Sequence, residues 1–449
     1  MRLKQFVGKD VRGYMNFDIN FRESVTFLIG INGSGKTTVL KLLYGLLEPS
    51  YRILNNIEFS ELTFECEIDD NRRVQIYCKK DSSCIFLQYG DTKESVKIEG
   101  EFKTLEKFQI LEDQTDYERE EYVKNKGIFD SSEVVEKIKS MQTPLFLGIN
   151  RRVIEMNSGI AAISMRDIQI RRRRRMVDDA VDRALLDIQN MVFDSVRYNA
   201  KRQGFYADSF RKKVLHNSFK FYNEIPLLLT NDYDKELSLL PQKRENLKFA
   251  IQELGLNDLS EELDAAFSQL EILLKSLSEQ SSNRENNQEF YKTLIKWMVN
   301  SSQLDKIDTI TSYVNEYLEN LKKLREPIIR FQEGVNMFFK EGKKELVIDG
   351  QGEIKIKISP KRINSVYELS SGEKQLVIML AHLALNKGNR QSSIFLIDEP
   401  ELSLHISWQE LFVDALLKAS PKTQFIIATH APAILAKPER KEWCEDLSK

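Results

Sequence analysis

Gly30-Ile31-Asn32-Gly33-Ser34-Gly35-Lys36-Thr37 has the spacing G-x-x-x-x-G-K-[ST], the pattern of a loop that cradles phosphates. Val25-Thr26-Phe27-Leu28-Ile29 precedes it and reads as a buried strand. Thr38-Val39-Leu40-Lys41-Leu42-Leu43-Tyr44-Gly45 follows and reads as a helix with Leu40 and Leu43 turned inward. Strand, glycine loop and helix are the context the pattern requires. The glycines let backbone N–H groups point at phosphate oxygens, and the helix N-terminus adds its positive dipole end. The expected ligands are therefore ATP and Mg²⁺. Asn32, Gly33, Ser34, Gly35, Lys36, Thr37 and Thr38 would line the phosphates. Lys36 would reach the β- and γ-phosphates, and the Thr37 hydroxyl would bind the metal.

The chain has 449 residues, more than one hydrophobic core usually serves, so an ATPase domain with a long insertion is expected. No uninterrupted apolar run is long enough to span a bilayer. Met1-Arg2-Leu3-Lys4-Gln5 has no secretory apolar region behind its charges. Cys66, Cys78, Cys84 and Cys444 form no C-x-x-C pair, which argues against a zinc site and a disulfide framework. The expectation is a reduced, cytoplasmic protein with no membrane partner. The formal net charge is −2, so nucleic-acid binding would need a local basic face.

Two short strands are expected around Leu3–Val7 and Asn16–Phe21. Tyr14 or Phe17 is a candidate to lie against adenine, with an ordinary core or hairpin role the favoured reading of both. From Glu58 to Glu99 the apolar residues alternate, as in Leu62-Thr63-Phe64-Glu65-Cys66, which predicts an antiparallel meander. Residues 111–140 are strongly charged and read as mixed helix and loop. Thr143 to Asn150 reads as a strand, with Arg151 and Arg152 at the end where α/β sheets bind ligands. Gln142 and Gln114 are both candidates to reach the metal and the attacking water.

Residues 153–335 read as mainly helical. Arg171 to Arg175 form the most basic run, open both to a salt-bridged solvated helix and to phosphate contact from nucleic acid. Arg197, Lys201, Arg202, Arg211, Lys212 and Lys213 follow, interleaved with Tyr198, Phe205, Tyr206 and Phe210. Leu259, Leu263, Phe267, Leu270, Leu274 and Leu277 step as one helical stripe, and Ile307 to Leu324 repeat it. A short antiparallel coiled-coil arm and a compact helical bundle both fit. Glu345–Asp349 and Glu353–Ile358 flank Gly350-Gln351-Gly352, a hairpin signal.

Leu369-Ser370-Ser371-Gly372-Glu373-Lys374-Gln375 precedes a helical apolar run. Ser370 can cap that helix, and Gly372 lets the backbone approach an anion. Ile394 to Asp398 reads as a buried strand ending in Asp398-Glu399. Asp398 is placed to hold Mg²⁺, and Glu399 to orient or deprotonate the attacking water. Gln424 to His430 reads as another buried strand, ending in a histidine that can sense the γ-phosphate.

Together these stretches resemble the ATP-binding cassette superfamily: Walker A at Gly30–Thr37, the signature at Leu369–Gln375, Walker B at Ile394–Glu399, a D-loop at Leu402–His405 and the switch histidine at His430. The resemblance covers both ends of the chain but not its middle. The wide helical separation of Walker A from the signature argues against a transporter cassette and resembles the chromosome-maintenance (SMC) and overcoming-lysogenization-defect (OLD) branch. Glu399-Pro400-Glu401-Leu402-Ser403-Leu404-His405 and Thr429-His430-Ala431-Pro432 are especially similar to the OLD-like group. The zinc-hook cysteine pair of the DNA-repair ATPase is absent, and no room for a Toprim nuclease is expected after His430. What remains resembles the stand-alone ATPase of Septu and retron-linked anti-phage systems.

The resemblance implies an α/β ATPase head, with a mixed sheet plus an antiparallel β subdomain, divided as 1–152 and 336–449 around a helical, partly coiled-coil insertion at 153–335. It implies a homodimer or higher homo-oligomer with ATP between Gly30–Thr37 of one chain and Ser370, Ser371, Gly372 and Glu373 of the other. It also implies a separate HNH nuclease partner that the ATPase regulates. A nucleotide-locked scaffold and a DNA-tethering ATPase without a nuclease are the alternatives.

Overall fold

The computed structural model describes residues 1–68, 72–82, 84–90, 95–99, 116–141, 144–147, 153–154, 180–219, 233–280, 288–359, 362–385 and 394–448. The apolar run Val25 to Ile29 is strand β3, after β1 (Arg2–Val11) and β2 (Met15–Asn20). β3 lies inside a six-stranded sheet built with β8 (Leu145–Leu147), β9 (Val153–Ile154), β13 (Ile394–Asp398), β14 (Gln424–Ala428) and β15 (Cys444–Asp446). The strand order is β15-β3-β14-β13-β8-β9, parallel except for the last pair. Every residue of β13 and β14 is buried, which is why these strands read as continuous apolar runs rather than alternations.

The alternating stretch forms a second, antiparallel sheet from β4 (Glu61–Ile68), β5 (Arg72–Lys80), β6 (Cys84–Tyr89) and β7 (Ser95–Glu99), extended by β1 and β2 in the order β2-β1-β4-β5-β6-β7. Leu62, Phe64 and Cys66 face inward and their neighbours outward, as period two requires. A core including Phe6, Phe64, Leu40, Leu43, Phe129 and Phe146 joins both sheets to helices α1 (Lys36–Leu47), α2 (Tyr51–Asn56), α3 (Asp116–Asp130) and α4 (Glu133–Ser140). Buried Gln424 links the sheets through polar contacts. It accepts from the Leu3 N–H at 2.7 Å and donates to the Leu3 and Arg22 carbonyls at 2.9 and 2.7 Å.

Lys80 continues the inward face of β5 after Val74, Ile76 and Cys78. Its ammonium donates to the carbonyls of Leu54, Asn55 and Ile57 at 3.0, 2.6 and 2.9 Å, closing the end of α2. Burial pulls its pKa down to about 8, a cost it bears while supplying three buried carbonyls. Lys80→Met leaves those carbonyls without their donor and is expected to destabilise the protein by about 2–3 kcal/mol, read as a lower guanidinium midpoint.

The chain divides into two compact units, Met1–Ser195 with Pro327–Lys449, and Val196–Glu326. The boundaries fall inside two long helices, α5 (Ala180–Ser218) and α8 (Gln288–Phe339), and the second coincides with Pro327. In the second unit α5 lies against α8. Phe210 stacks on Tyr317 at 5.5 Å, and Lys213 pairs with Glu316. The same unit holds α6 (Tyr233–Glu253) and α7 (Ser260–Gln280), whose Leu240, Leu263, Phe267, Leu270, Leu274 and Leu277 pack with Trp297 of α8. The leucine stripe of α7 therefore packs within a cluster shared with α6 and α8. In the first unit, β10 (Glu345–Ile348), β11 (Ile354–Ser359) and β12 (Arg362–Ser365) form a third sheet. Gln189 of α5 clamps its hairpin, donating to the Gly352 carbonyl at 2.7 Å and accepting from the Ile354 N–H at 3.0 Å. Among the described residues, no helix is long and apolar enough to cross a membrane.

Candidate functional site

Three neighbouring parallel strands deliver their carboxyl ends to one edge. Asp398 of β13 pairs with Ala428 of β14, and Ala428 with Leu28 of β3. One row of the sheet therefore precedes the phosphate loop, Glu399 and Thr429-His430 alike, the place where open α/β sheets bind ligands. Within the loop Gly33 and Gly35 have φ of +89° and +90°. A Cβ on Gly35 would also lie 2.7 Å from Phe17 Cζ and 2.9 Å from Met15 Sδ, so only glycine fits beneath this turn. That contact settles Phe17: it is core packing under the loop, 6% exposed, and not an adenine platform. Tyr14 is 72% exposed in the β1–β2 turn and stays available for that role.

Lys36 folds over the loop and donates to the Gly30 and Ile31 carbonyls at 2.8 and 3.1 Å. The Thr37 hydroxyl donates to Asp398 Oδ1 at 3.1 Å, joining loop and acidic strand end. Asp398 is 3% exposed. Burial pushes its carboxyl up to about 6, helped by Glu399 and Glu401 and opposed by the Thr37 hydrogen bond and Lys41. Ser34 Oγ is buried in the loop without a hydrogen-bond partner. An orphaned hydroxyl among backbone donors and a buried carboxylate beside a threonine are the groups a phosphate and a divalent cation would satisfy. The residues present thus fit Mg-ATP.

Glu399 has φ +49° and ψ +58°, a left-handed conformation unusual for a residue with a side chain and one that Pro400 further restricts. Its N–H donates to the Ala428 carbonyl at 2.9 Å, which holds the turn against that strain. His430 follows β14, its ring Nδ1 3.1 Å from Glu401 Oε1.

Ser370 caps α9 (Ser371–Leu385) in a reciprocal arrangement with Glu373. The Ser370 N–H and hydroxyl both donate to Glu373 Oε2 at 2.9 Å, and the Glu373 N–H donates back to Ser370 Oγ at 3.4 Å. Lys344 binds Glu373 Oε1 at 2.8 Å. Burial pushes the Glu373 carboxyl up, and Lys344 and Ser370 outweigh it, so the net shift is downward. Ser370 and Ser371 are exposed, with Gly372 behind them half-buried. Lys374 pairs with Asp182 of α5 at 2.8 Å, tying the signature stretch to a helix that continues into the second unit.

Two residues at the site were given no role by the sequence pattern. Glu401 is one. The other is Ser448, just after β15, whose hydroxyl accepts from the Ile31 N–H at 3.1 Å while the Leu447 N–H donates to the Ile29 carbonyl. Ser448→Ala removes one hydrogen bond from the phosphate loop. Its expected effect is about threefold weaker ATP binding with little change in melting temperature, measured by titration with a fluorescent ATP analogue.

Gln114, Gln142, Arg151, Arg152 and Arg171–Arg175 lie outside the described residues. Of the later cations, Arg202 sits 5.3 and 4.9 Å from the Phe205 and Tyr206 ring centroids, Arg211 pairs with Asp208, and Lys213 with Glu316. Arg197, Lys201 and Lys212 are exposed.

Among solved structures, the chain aligns with the SMC head domain with an extended coiled coil bound to the C-terminal domain of ScpA from Pyrococcus furiosus, at 14% identity over 97% of this chain and 91% of that one, with a TM-score of 0.37. It aligns with the SMC head domain from Thermotoga maritima at 10% identity over 97% and 92%, with a TM-score of 0.37. Among curated proteins it is similar to "Retron Vc95 probable ATPase" of Vibrio cholerae serotype O1 biovar El Tor, 26% identical over 261 residues, 54% of this chain and 42% of that protein. It is also similar to "Retron Ec83 probable ATPase" of Escherichia coli, 30% identical over 172 residues, 36% of this chain and 29% of that protein. The matched stretches thus span less than half of either relative. A profile of the AAA ATPase domain family (AAA_15) matches residues 1–435, and the chain belongs to that family.

Proposed function

We propose that the chain binds and hydrolyses ATP with Mg²⁺, closes as a dimer around it, and through that cycle regulates a separate nuclease in anti-phage defence. The contact that carries the reading is Thr37 Oγ1 to Asp398 Oδ1 at 3.1 Å, because it brings a phosphate loop and an acidic strand end into one site. Thr37 and Asp398 would hold the metal, whose positive charge offsets the charge developing on the phosphates. Lys36 and the loop N–H groups bind and orient the phosphates. Glu399, next to Asp398 and held by the Ala428 carbonyl, takes the proton of the attacking water. His430, at the end of the neighbouring strand, senses the γ-phosphate.

Dimerisation is supported by the exposed Ser370-Ser371 cap, a helix N-terminus able to donate to a phosphate on a second chain. Transmission to the helical unit is supported by the Lys374–Asp182 bridge. The defence setting is supported by the OLD-like motifs and by the retron designation of two relatives, and an HNH partner by the resemblance to stand-alone OLD-like ATPases. Exposed Arg197, Lys201 and Lys212 support nucleic-acid contact by the same unit.

The test is the mass of Glu399→Gln in solution by light scattering, with and without Mg-ATP. Doubling only with Mg-ATP supports the nucleotide-gated dimer. A mass independent of ATP overturns gating. Nucleotide retained through purification with no wild-type turnover points instead to a nucleotide-locked scaffold.

A further inference from the structure

The Glu401 side chain is 6% exposed, and one of its oxygens receives three groups from the end of the neighbouring strand. The Thr429 hydroxyl donates to Oε1 at 2.9 Å, the His430 N–H donates to it at 2.9 Å, and His430 Nδ1 lies 3.1 Å away. The other oxygen, Oε2, is buried without a hydrogen-bond partner. The Glu401 carbonyl in turn accepts from Gln409 of α10 (Ile406–Ala419) at 3.4 Å, and Gln409 also donates to the Leu404 carbonyl at 3.1 Å.

A serine or a backbone carbonyl could cap Thr429 and the His430 N–H without charge. Burying a carboxylate with one oxygen unsatisfied costs more than either. What the carboxylate adds is its hold on the ring. Facing Oε1, Nδ1 carries the hydrogen and donates, which fixes the tautomer and leaves Nε2, now an acceptor, on the open edge of a side chain 46% exposed, where it would meet the γ-phosphate through a water that donates to both.

We propose that Glu401 is a positioning residue for ATP hydrolysis: it fixes the ring and backbone of His430 toward the γ-phosphate and couples that histidine to the turn following Glu399. This rests on the ATPase reading above. Because Glu401 begins the stretch running to Leu404, displacement of that stretch by a second chain reaches His430 through one side chain.

The test compares wild type with Glu401→Gln, Glu401→Ala, His430→Ala and the Glu401→Ala/His430→Ala double variant. Glu401→Gln keeps an oxygen acceptor but loses the charge, so the fold persists. The expected results for Glu401→Gln are a melting temperature within about 2 °C of wild type, ATP affinity within about twofold, and kcat reduced about tenfold. The double variant is expected to be no slower than His430→Ala alone, since Glu401 acts through that ring. Multiplying losses, an unchanged kcat in Glu401→Gln, or a loss confined to ATP affinity overturn the proposal.

A second readout does not need turnover. With four histidines in the chain, the His430 ring nitrogens can be assigned by single substitutions. The wild-type ring is expected as the Nδ1–H tautomer, and Glu401→Gln as a mixture. Identical ring signals in both overturn the positioning role. Wild-type protein without turnover but with the expected ring signals overturns the ATPase reading and leaves the clasp standing.

Discussion

Glu399→Gln lowers ATP turnover by at least about 100-fold while leaving Mg-ATP affinity within about threefold. A general base contributes roughly 10²–10⁴-fold, and glutamine keeps the shape of the side chain while losing the ability to take a proton. Binding is expected to be spared because the groups proposed to hold the phosphates, Lys36 and the loop around Gly33 and Gly35, belong to a different segment. The backbone at Glu399 sharpens the expectation. At φ +49°, before a proline, the residue occupies a strained conformation that its N–H bond to Ala428 sustains. Glutamine inherits the same strain, so stability is expected to stay near wild type, and the loss of turnover reads as chemistry. Phosphate release under saturating Mg-ATP, with affinity from equilibrium titration, checks both halves. Turnover within fivefold of wild type removes Glu399 from the base role.

The parts of this site that were legible in the sequence lie on fully buried parallel strands. β3, β13 and β14 are largely apolar on both faces, so each announces itself as a run, and each ends abruptly in residues of the candidate site. The meander was legible for the opposite reason, since a half-buried sheet must alternate. Lys80 broke that rule only in appearance. It keeps the inward register of β5 but satisfies helix carbonyls instead of apolar contacts, a partnership three-dimensional in origin. β15 is Cys444-Glu445-Asp446, with no apolar run or β-branched residue, and becomes a strand only because β3 offers it an open edge. Ser448 reaches the phosphate loop as a consequence. In the helical unit, one stripe from Leu259 to Leu277 fits an arm or a bundle equally. The distinction lies in what it packs against: Leu240 of α6 and Trp297 of α8, far apart in the chain.

Asp398→Asn is expected to stabilise the protein without nucleotide and abolish the part of nucleotide stabilisation that depends on Mg²⁺. Burial is the main reason Asp398 stands at about 6 in the folded protein, against an ordinary value of 3.8. The folded state therefore binds more protons than the unfolded chain between about pH 4 and 6, and stability falls as pH rises through that window. At pH 7.5 the full penalty applies. Two pKa units correspond to about 3 kcal/mol, and allowing for solvent screening leaves about 1–2 kcal/mol. Asparagine keeps an oxygen to accept from Thr37 and carries no charge, so a rise in melting temperature of about 1–2 °C is expected at pH 7.5, shrinking toward pH 4.5. The same change removes the carboxylate that, with the Thr37 hydroxyl, is proposed to hold a divalent cation. Wild-type protein is expected to gain more thermal stability from ATP with Mg²⁺ than from ATP with EDTA, and Asp398→Asn to show no difference between the two. A drop in melting temperature without nucleotide refutes the buried-charge argument, whereas a retained Mg²⁺ increment refutes the metal-holding role. The two failures are independent, because the first concerns what the carboxylate costs the empty fold and the second what it holds.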